Sequence, residues 1–102
     1  MELISPTELK QRLEEGEELK LIDVREPYEH EEYNIGGDLI PLAELMGRLG
    51  EMDEYRNQVL VVYCKSGNRS QMAQNLLLNA GFDEVYNLEG GVEKWRAEID
   101  MA

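Results

Sequence analysis

Apolar residues in this chain fall into two kinds of pattern. The first is the short unbroken run. Residues 59–63 (VLVVY) are bounded by polar positions, which suits a strand covered on both faces of a parallel sheet. Residues 19–24 (LKLIDV) and 84–88 (EVYNL) read as strands on the same grounds, and residues 2–4 and 39–40 as briefer ones. The second is recurrence at helical spacing. Leu9 and Leu13 share one face, as do Leu42, Leu45, Met46 and Leu49, and then Met72, Ala73, Leu76, Leu77 and Ala80.

Punctuation between the runs agrees with this division. Ser5 precedes Pro6 and lies three residues before Glu8, a capping box with Pro at the first helical position, and Gly16 offers the stop. Residues 27–33 predict a short acidic helix that again starts at a proline. Gly36-Gly37-Asp38 predicts a turn. Gly81 closes the helix that follows residues 64–70, and Gly90-Gly91 turns the chain into a last helix over 92–99. Strands alternating with helices predict one α/β domain over residues 1–102, a three-layer α/β/α arrangement around a mostly parallel sheet of about five strands. The run Glu14-Glu15-Gly16-Glu17-Glu18 reads as a solvated turn.

Charge narrows the partners. A net charge of −12, with no basic stripe, argues against nucleic acid and against docking on an anionic membrane surface. No positive stretch followed by an apolar run marks a leader or a membrane span, so a cytoplasmic protein is expected. A lone cysteine forms no internal disulfide, and without a second thiolate or a histidine cluster no metal site is expected.

That cysteine, Cys64, stands where the strongest strand ends and a helix begins, in the sequence Cys64-Lys65-Ser66-Gly67-Asn68-Arg69-Ser70. In α/β sheets ligands bind beyond the carboxyl ends of strands. Free N–H groups at a helix start favour a thiolate. Gly67 allows the backbone to curl so that several N–H groups face the sulfur. Ser66, Asn68 and Ser70 offer further donors, and the only charges in the loop, Lys65 and Arg69, are positive. Two chemistries use such a loop. A Cys-based phosphatase, or a related arsenate reductase, spaces its cysteine and arginine one residue further apart, which suits a tetrahedral anion. The tighter spacing here suits a single sulfur atom.

At this point the chain resembles the rhodanese family. The loop from Cys64 to Arg69, followed by Ser70, is similar to the active loop of single-domain rhodaneses. Leu21-Ile22-Asp23-Val24-Arg25-Glu26 resembles the family's DVR segment. The stretch from Tyr33-Asn34-Ile35-Gly36-Gly37 to Ile40-Pro41-Leu42 resembles its GHIPGA and NIPL segment, and Gly90-Gly91-Val92 with Trp95 its GG and W signature. Asn34 and Gly36 stand where the family has His and Pro, a departure at the pocket rim.

The resemblance implies a sulfurtransferase. Cys64 would take sulfane sulfur from a small anionic donor such as thiosulfate, or from a persulfide, and pass it to cyanide, a thiol or a protein cysteine. Lys65 and Arg69 would bind the donor's anionic end, and no cofactor is implied. A non-enzymatic binding module is the remaining alternative. Asp23 and Arg25 read as supports for the loop's neighbours, His30 as a solvated surface residue, and Trp95 as a core aromatic. A monomer is expected.

Overall fold

The computed structural model describes residues 2–101; Met1 and Ala102, which the expected domain included, lie outside them. The central run forms β4 (Val59–Tyr63). It lies between β2 (Leu19–Asp23) and β5 (Glu84–Leu88), with β1 (Leu3–Ile4) beyond β5 and β3 (Asp38–Leu39) beyond β2. The order is therefore β1-β5-β4-β2-β3, and each pairing is parallel. Pairing of Leu19 with Val59 through Asp23 with Tyr63 brings the carboxyl ends of β2 and β4 side by side.

Alternation along β4 divides the core into two layers. Leu60, Val62 and then Cys64 face one side, with Ile22, Val24, Leu45, Ala73, Leu77 and Phe82. Val61 and Tyr63 face the other, with Ile4, Leu9, Leu88, Val92 and Trp95. The helices α3 (Leu42–Arg48) and α4 (Asn68–Asn79) supply the first layer, and α1 (Pro6–Glu14) and α5 (Gly91–Trp95) the second. A strand sandwiched this way must be apolar throughout, which is why β4 shows no polar alternation. Each large side chain so buried stabilises the fold by roughly 1.5–3 kcal/mol.

Several ends differ from the sequence reading. Ser5 caps α1, accepting from the Glu8 N–H at 3.1 Å. Leu13 and Met72, however, lie on exposed faces rather than in the core, because each of their helices buries a narrower stripe than the spacing suggested. The 42–49 helix passes at Leu49 into a 3₁₀ stretch (Leu49–Tyr55) that brings Met52 into the core. The last helix passes at Arg96 into a π-helical turn (Arg96–Asp100). Trp95 is buried as expected. The short helix α2 (Pro27–Glu32) buries none of its residues, so apolar packing does not hold it in place.

Candidate active site

The chain leaves β4 at Cys64, whose residue is 1% exposed. Gly67 takes φ +109°, a left-handed conformation that L side chains rarely adopt, and this turns its N–H onto Cys64 Sγ at 3.1 Å. Ser70, wholly buried in the first turn of α4, places Oγ 3.3 Å from the same sulfur. Burial alone would push the thiol up. The Ser70 hydroxyl and the backbone N–H groups of Ser70, Gly67 and Ser66 outweigh it, so the Cys64 thiol lies below its ordinary value.

A second element engages the first carbonyl groups of the loop. The first N–H groups of α5 donate to the loop: Val92 N–H to the Cys64 carbonyl at 2.9 Å and Glu93 N–H to the Lys65 carbonyl at 3.1 Å. This approach leaves no room for a side chain at Gly91, where a Cβ would lie 2.5 Å from the Cys64 oxygen and 2.4 Å from the Lys65 oxygen. The GG signature is thus the contact that seats α5 on the loop.

Two further elements hold the loop's sides. On the α2 side, Arg69 donates through both terminal nitrogens to Glu29, at 2.8 and 2.9 Å. Glu29 also accepts from the Glu26 N–H at 3.0 Å, capping α2. The bidentate guanidinium, first among the causes, holds the Glu29 carboxyl down to about 2. Arg69 is therefore already engaged, and of the two cations expected to meet a donor only Lys65, exposed on the rim, has no ion-pair partner among the described residues. On the β5 side, Asn87 Nδ2 donates to the Gly67 carbonyl at 3.1 Å, and Asn87 Oδ1 accepts from Ser70 Oγ at 2.5 Å.

Asp23 and Arg25 form a buried pair behind this shell. Arg25 Nε and a terminal nitrogen reach the two Asp23 oxygens at 2.9 and 2.8 Å, and the same terminal nitrogen donates to the Tyr33 carbonyl at 2.6 Å. His30 corrects the sequence reading. It is not a free surface residue: its Nδ1 lies 2.8 Å from Asp23 Oδ2, and its side chain is 24% exposed. Because that carboxylate already accepts from Arg25, the His30 Nδ1 carries the proton. Asn34 has its own local use, donating to the His30 carbonyl and accepting from the Gly36 N–H, both at 2.8 Å.

Sequence reasoning missed Glu29, His30 and Asn87 as parts of the site. Glu29 lies in an acidic stretch with no local mark. Asn87 did carry a signal: it is a polar residue inside an apolar strand, immediately before the GG turn. Ser66 and Asn68 are exposed on the loop's outer face. They line, with Gln71, Asn87 and Glu89, a cleft of about 330 Å³. A second cleft, of about 420 Å³, opens on the other side beside Lys65, Tyr28, Tyr33, Glu93 and Arg96.

The fold is a parallel α/β sheet that carries a lone cysteine in an N–H-lined loop at a strand's carboxyl end. The model of the rhodanese-like domain matches residues 5–98, and the chain belongs to that family. It is similar to a sulfurtransferase of Allochromatium vinosum, 36% identical over 93 residues that cover 90% of this chain and 85% of that protein. It is 36% identical over 97 residues to a Mycobacterium tuberculosis protein described as "Probable adenylyltransferase/sulfurtransferase MoeZ". That match covers 94% of this chain but only 25% of the relative's length. Among solved structures, the human single-domain sulfurtransferase TSTD1 superposes with a TM-score of 0.82 at 25% identity, covering 96% of this chain and 97% of that one. No described helix is long and apolar enough to cross a membrane.

Proposed function

We propose that this chain is a sulfurtransferase in which Cys64 carries sulfane sulfur as a persulfide. The observation that supports this reading best is the neutral cradle around Cys64 Sγ: Gly67 N–H at 3.1 Å and the Ser70 hydroxyl at 3.3 Å, which can turn its O–H to a thiolate. In the first half-reaction the Cys64 thiolate attacks the outer sulfur of thiosulfate or a persulfide. An S–S bond to Sγ forms, the donor's S–S bond breaks, and sulfite or a thiolate leaves with the electron pair. In the second, cyanide or a thiolate attacks the outer sulfur, and Cys64 leaves as thiolate. Two half-reactions through one covalent intermediate lead to ping-pong kinetics.

Enclosure of Cys64 favours a donor whose reacting sulfur is small and terminal. An S–S bond of about 2 Å then carries the transferable atom outward from Sγ, so the acceptor need not reach as far. Cys64 is the one cysteine among these 102 residues, so the thiol that discharges its persulfide comes from outside this stretch.

The test is the intact mass after incubation with thiosulfate and, separately, with a low-molecular-weight persulfide. The expected result is a gain of one sulfur atom, reversed by cyanide and absent from Cys64→Ala. No gain with either donor on folded, reduced protein would overturn the proposal and turn attention to hydrolysis of aryl phosphates and to partner binding.

A further inference from the structure

The Ser70 hydroxyl has one proton and two neighbours that could take it. Asn87 Oδ1 is 2.5 Å away and Cys64 Sγ 3.3 Å away. Orientation of the Asn87 amide is settled by its other end: Nδ2 meets the Gly67 carbonyl at 3.1 Å, and a flipped amide would set oxygen against oxygen. Asn87 Oδ1 therefore faces Ser70, and two oxygens that close need a hydrogen between them. Only Ser70 can supply it. In this arrangement the Ser70 lone pairs, not its proton, face the sulfur, which suits a neutral thiol donating S–H to Ser70 Oγ. A thiolate demands the reverse, with the Ser70 O–H turned to sulfur and Asn87 Oδ1 left without it. Asn87 is 4% exposed and Ser70 fully buried, so water has little access to substitute for either partner.

We propose that Asn87 is a positioning residue for Cys64: it ties the Gly67 peptide and the Ser70 hydroxyl together and holds the single Ser70 proton off the sulfur unless the sulfur is ionised. The inference deepens the sulfurtransferase reading and rests on Cys64 being the reactive atom. Over a cycle, the hydroxyl turns to sulfur when Cys64 is a thiolate. It returns to Asn87 once Sγ is bonded to a second sulfur and no longer carries charge. Ser70 loses no proton in either position. Asn87 thus opposes the free thiolate and favours its release from charge by sulfur transfer.

Titratable and charged groups around the loop are Lys65 and Arg69 on it, Tyr28, Glu29 and His30 on α2, the Asp23–Arg25 pair at the end of β2, Glu89 and Glu93 flanking the GG turn, and Arg96 after α5. Substitutions at Asn87 and Ser70 leave every one of them in place.

The experiment is the rate of iodoacetamide alkylation against pH, which reports Cys64 alone because the chain has no other cysteine. It is run on wild type, Asn87→Ala, Ser70→Ala and the double variant, with circular dichroism and thermal melting as checks of folding. Ser70→Ala should raise the thiolate midpoint by about half a pH unit or more, the size of one ordinary hydrogen bond. Asn87→Ala should lower it by a similar amount, because the Ser70 proton is released to sulfur. Added to Ser70→Ala, it should change nothing further. A raised or unmoved midpoint in Asn87→Ala, or an equal shift with and without Ser70, overturns the proposal. Should Asn87→Ala not fold, the Asn87 side-chain amide signals of wild-type protein are followed by NMR through the titration. They should move with the alkylation midpoint, and signals that stay put overturn the proposal. None of these readouts needs a sulfur donor. Failure of wild type to gain sulfur would therefore count against the sulfurtransferase reading alone, and unmoved midpoints with normal sulfur gain against this one alone.

Discussion

The Cys64 loop is held from two sides by different kinds of bond. Toward α2 the ties are ion pairs, Arg69 to Glu29 and Arg25 to Asp23, with His30 hydrogen-bonded to the same Asp23 carboxylate. Toward β5 they are neutral, through the Asn87 amide, the Ser70 hydroxyl and the Gly67 peptide. The ionic side bears on α2, which buries none of its own residues, so charge pairing does the work that apolar contact does elsewhere. The neutral side touches the sulfur, whose charge changes through the proposed cycle. Neutral donors stabilise a thiolate moderately. A fully engaged cation would stabilise it further but would weaken it as a nucleophile, because nucleophilicity falls with thiol pKa. Frame charges are thus kept in pairs, while neutral groups make the hydrogen bonds to the sulfur.

Changes on the ionic side should therefore move stability more than sulfur reactivity, and the largest such change is at Asp23. Asp23→Ala leaves the Arg25 guanidinium buried without its carboxylate and frees His30. A loss of about 3–5 kcal/mol is expected in urea unfolding, since breaking one partner of a buried pair strands the other charge. A loss under 1 kcal/mol would mean that the pair contributes little to the frame.

Glu29→Gln comes next. The Glu29 carboxyl is held down from its ordinary 4.5 to about 2, so its contribution is fully present above pH 4.5 and is lost as pH falls through 2. With Arg69 37% exposed, solvent screening leaves about 1 kcal/mol of that at neutral pH. The variant should be less stable by that amount at pH 7 and should converge on wild type as pH falls toward 2. Parallel stability curves across this window would place the acid sensitivity elsewhere. The thiolate midpoint of Cys64 should shift far less than in Ser70→Ala.

The smallest effect is expected from Lys65→Ala, which tests whether the one unpaired loop cation meets the donor. Stability should stay within about 0.5 kcal/mol, as for most exposed substitutions. The KM for thiosulfate should rise severalfold with kcat little changed, because a charge contact made equally in the bound and reacting states is uniform binding. An unchanged KM for thiosulfate would remove Lys65 from donor binding.

Much of this arrangement was legible before the structure. The apolar run of β4 sets a doubly covered strand, and Cys64 must lie at its end. The Ser5 cap, the positive φ at Gly67 and the turn at Gly90-Gly91 all depend on residue type within a few positions. Extent was harder to read than existence. Leu13 and Met72 fit a helical face by spacing, but the width of the buried stripe depends on what packs against it, and both remain exposed.

Local backbone preference and the period of apolar positions were enough to set the alternation of strands and helices, the central strand, and the cysteine in its glycine-turned loop. Which polar group meets which followed from packing across the sheet. Glu29 reaches Arg69 across 40 positions and Asn87 reaches Ser70 across 17. The parallel register that puts β2, β4 and β5 ends together brings these partners within hydrogen-bonding range. Before that packing exists, an acidic residue in a run of acids and an amide in an apolar strand have no neighbour to select them.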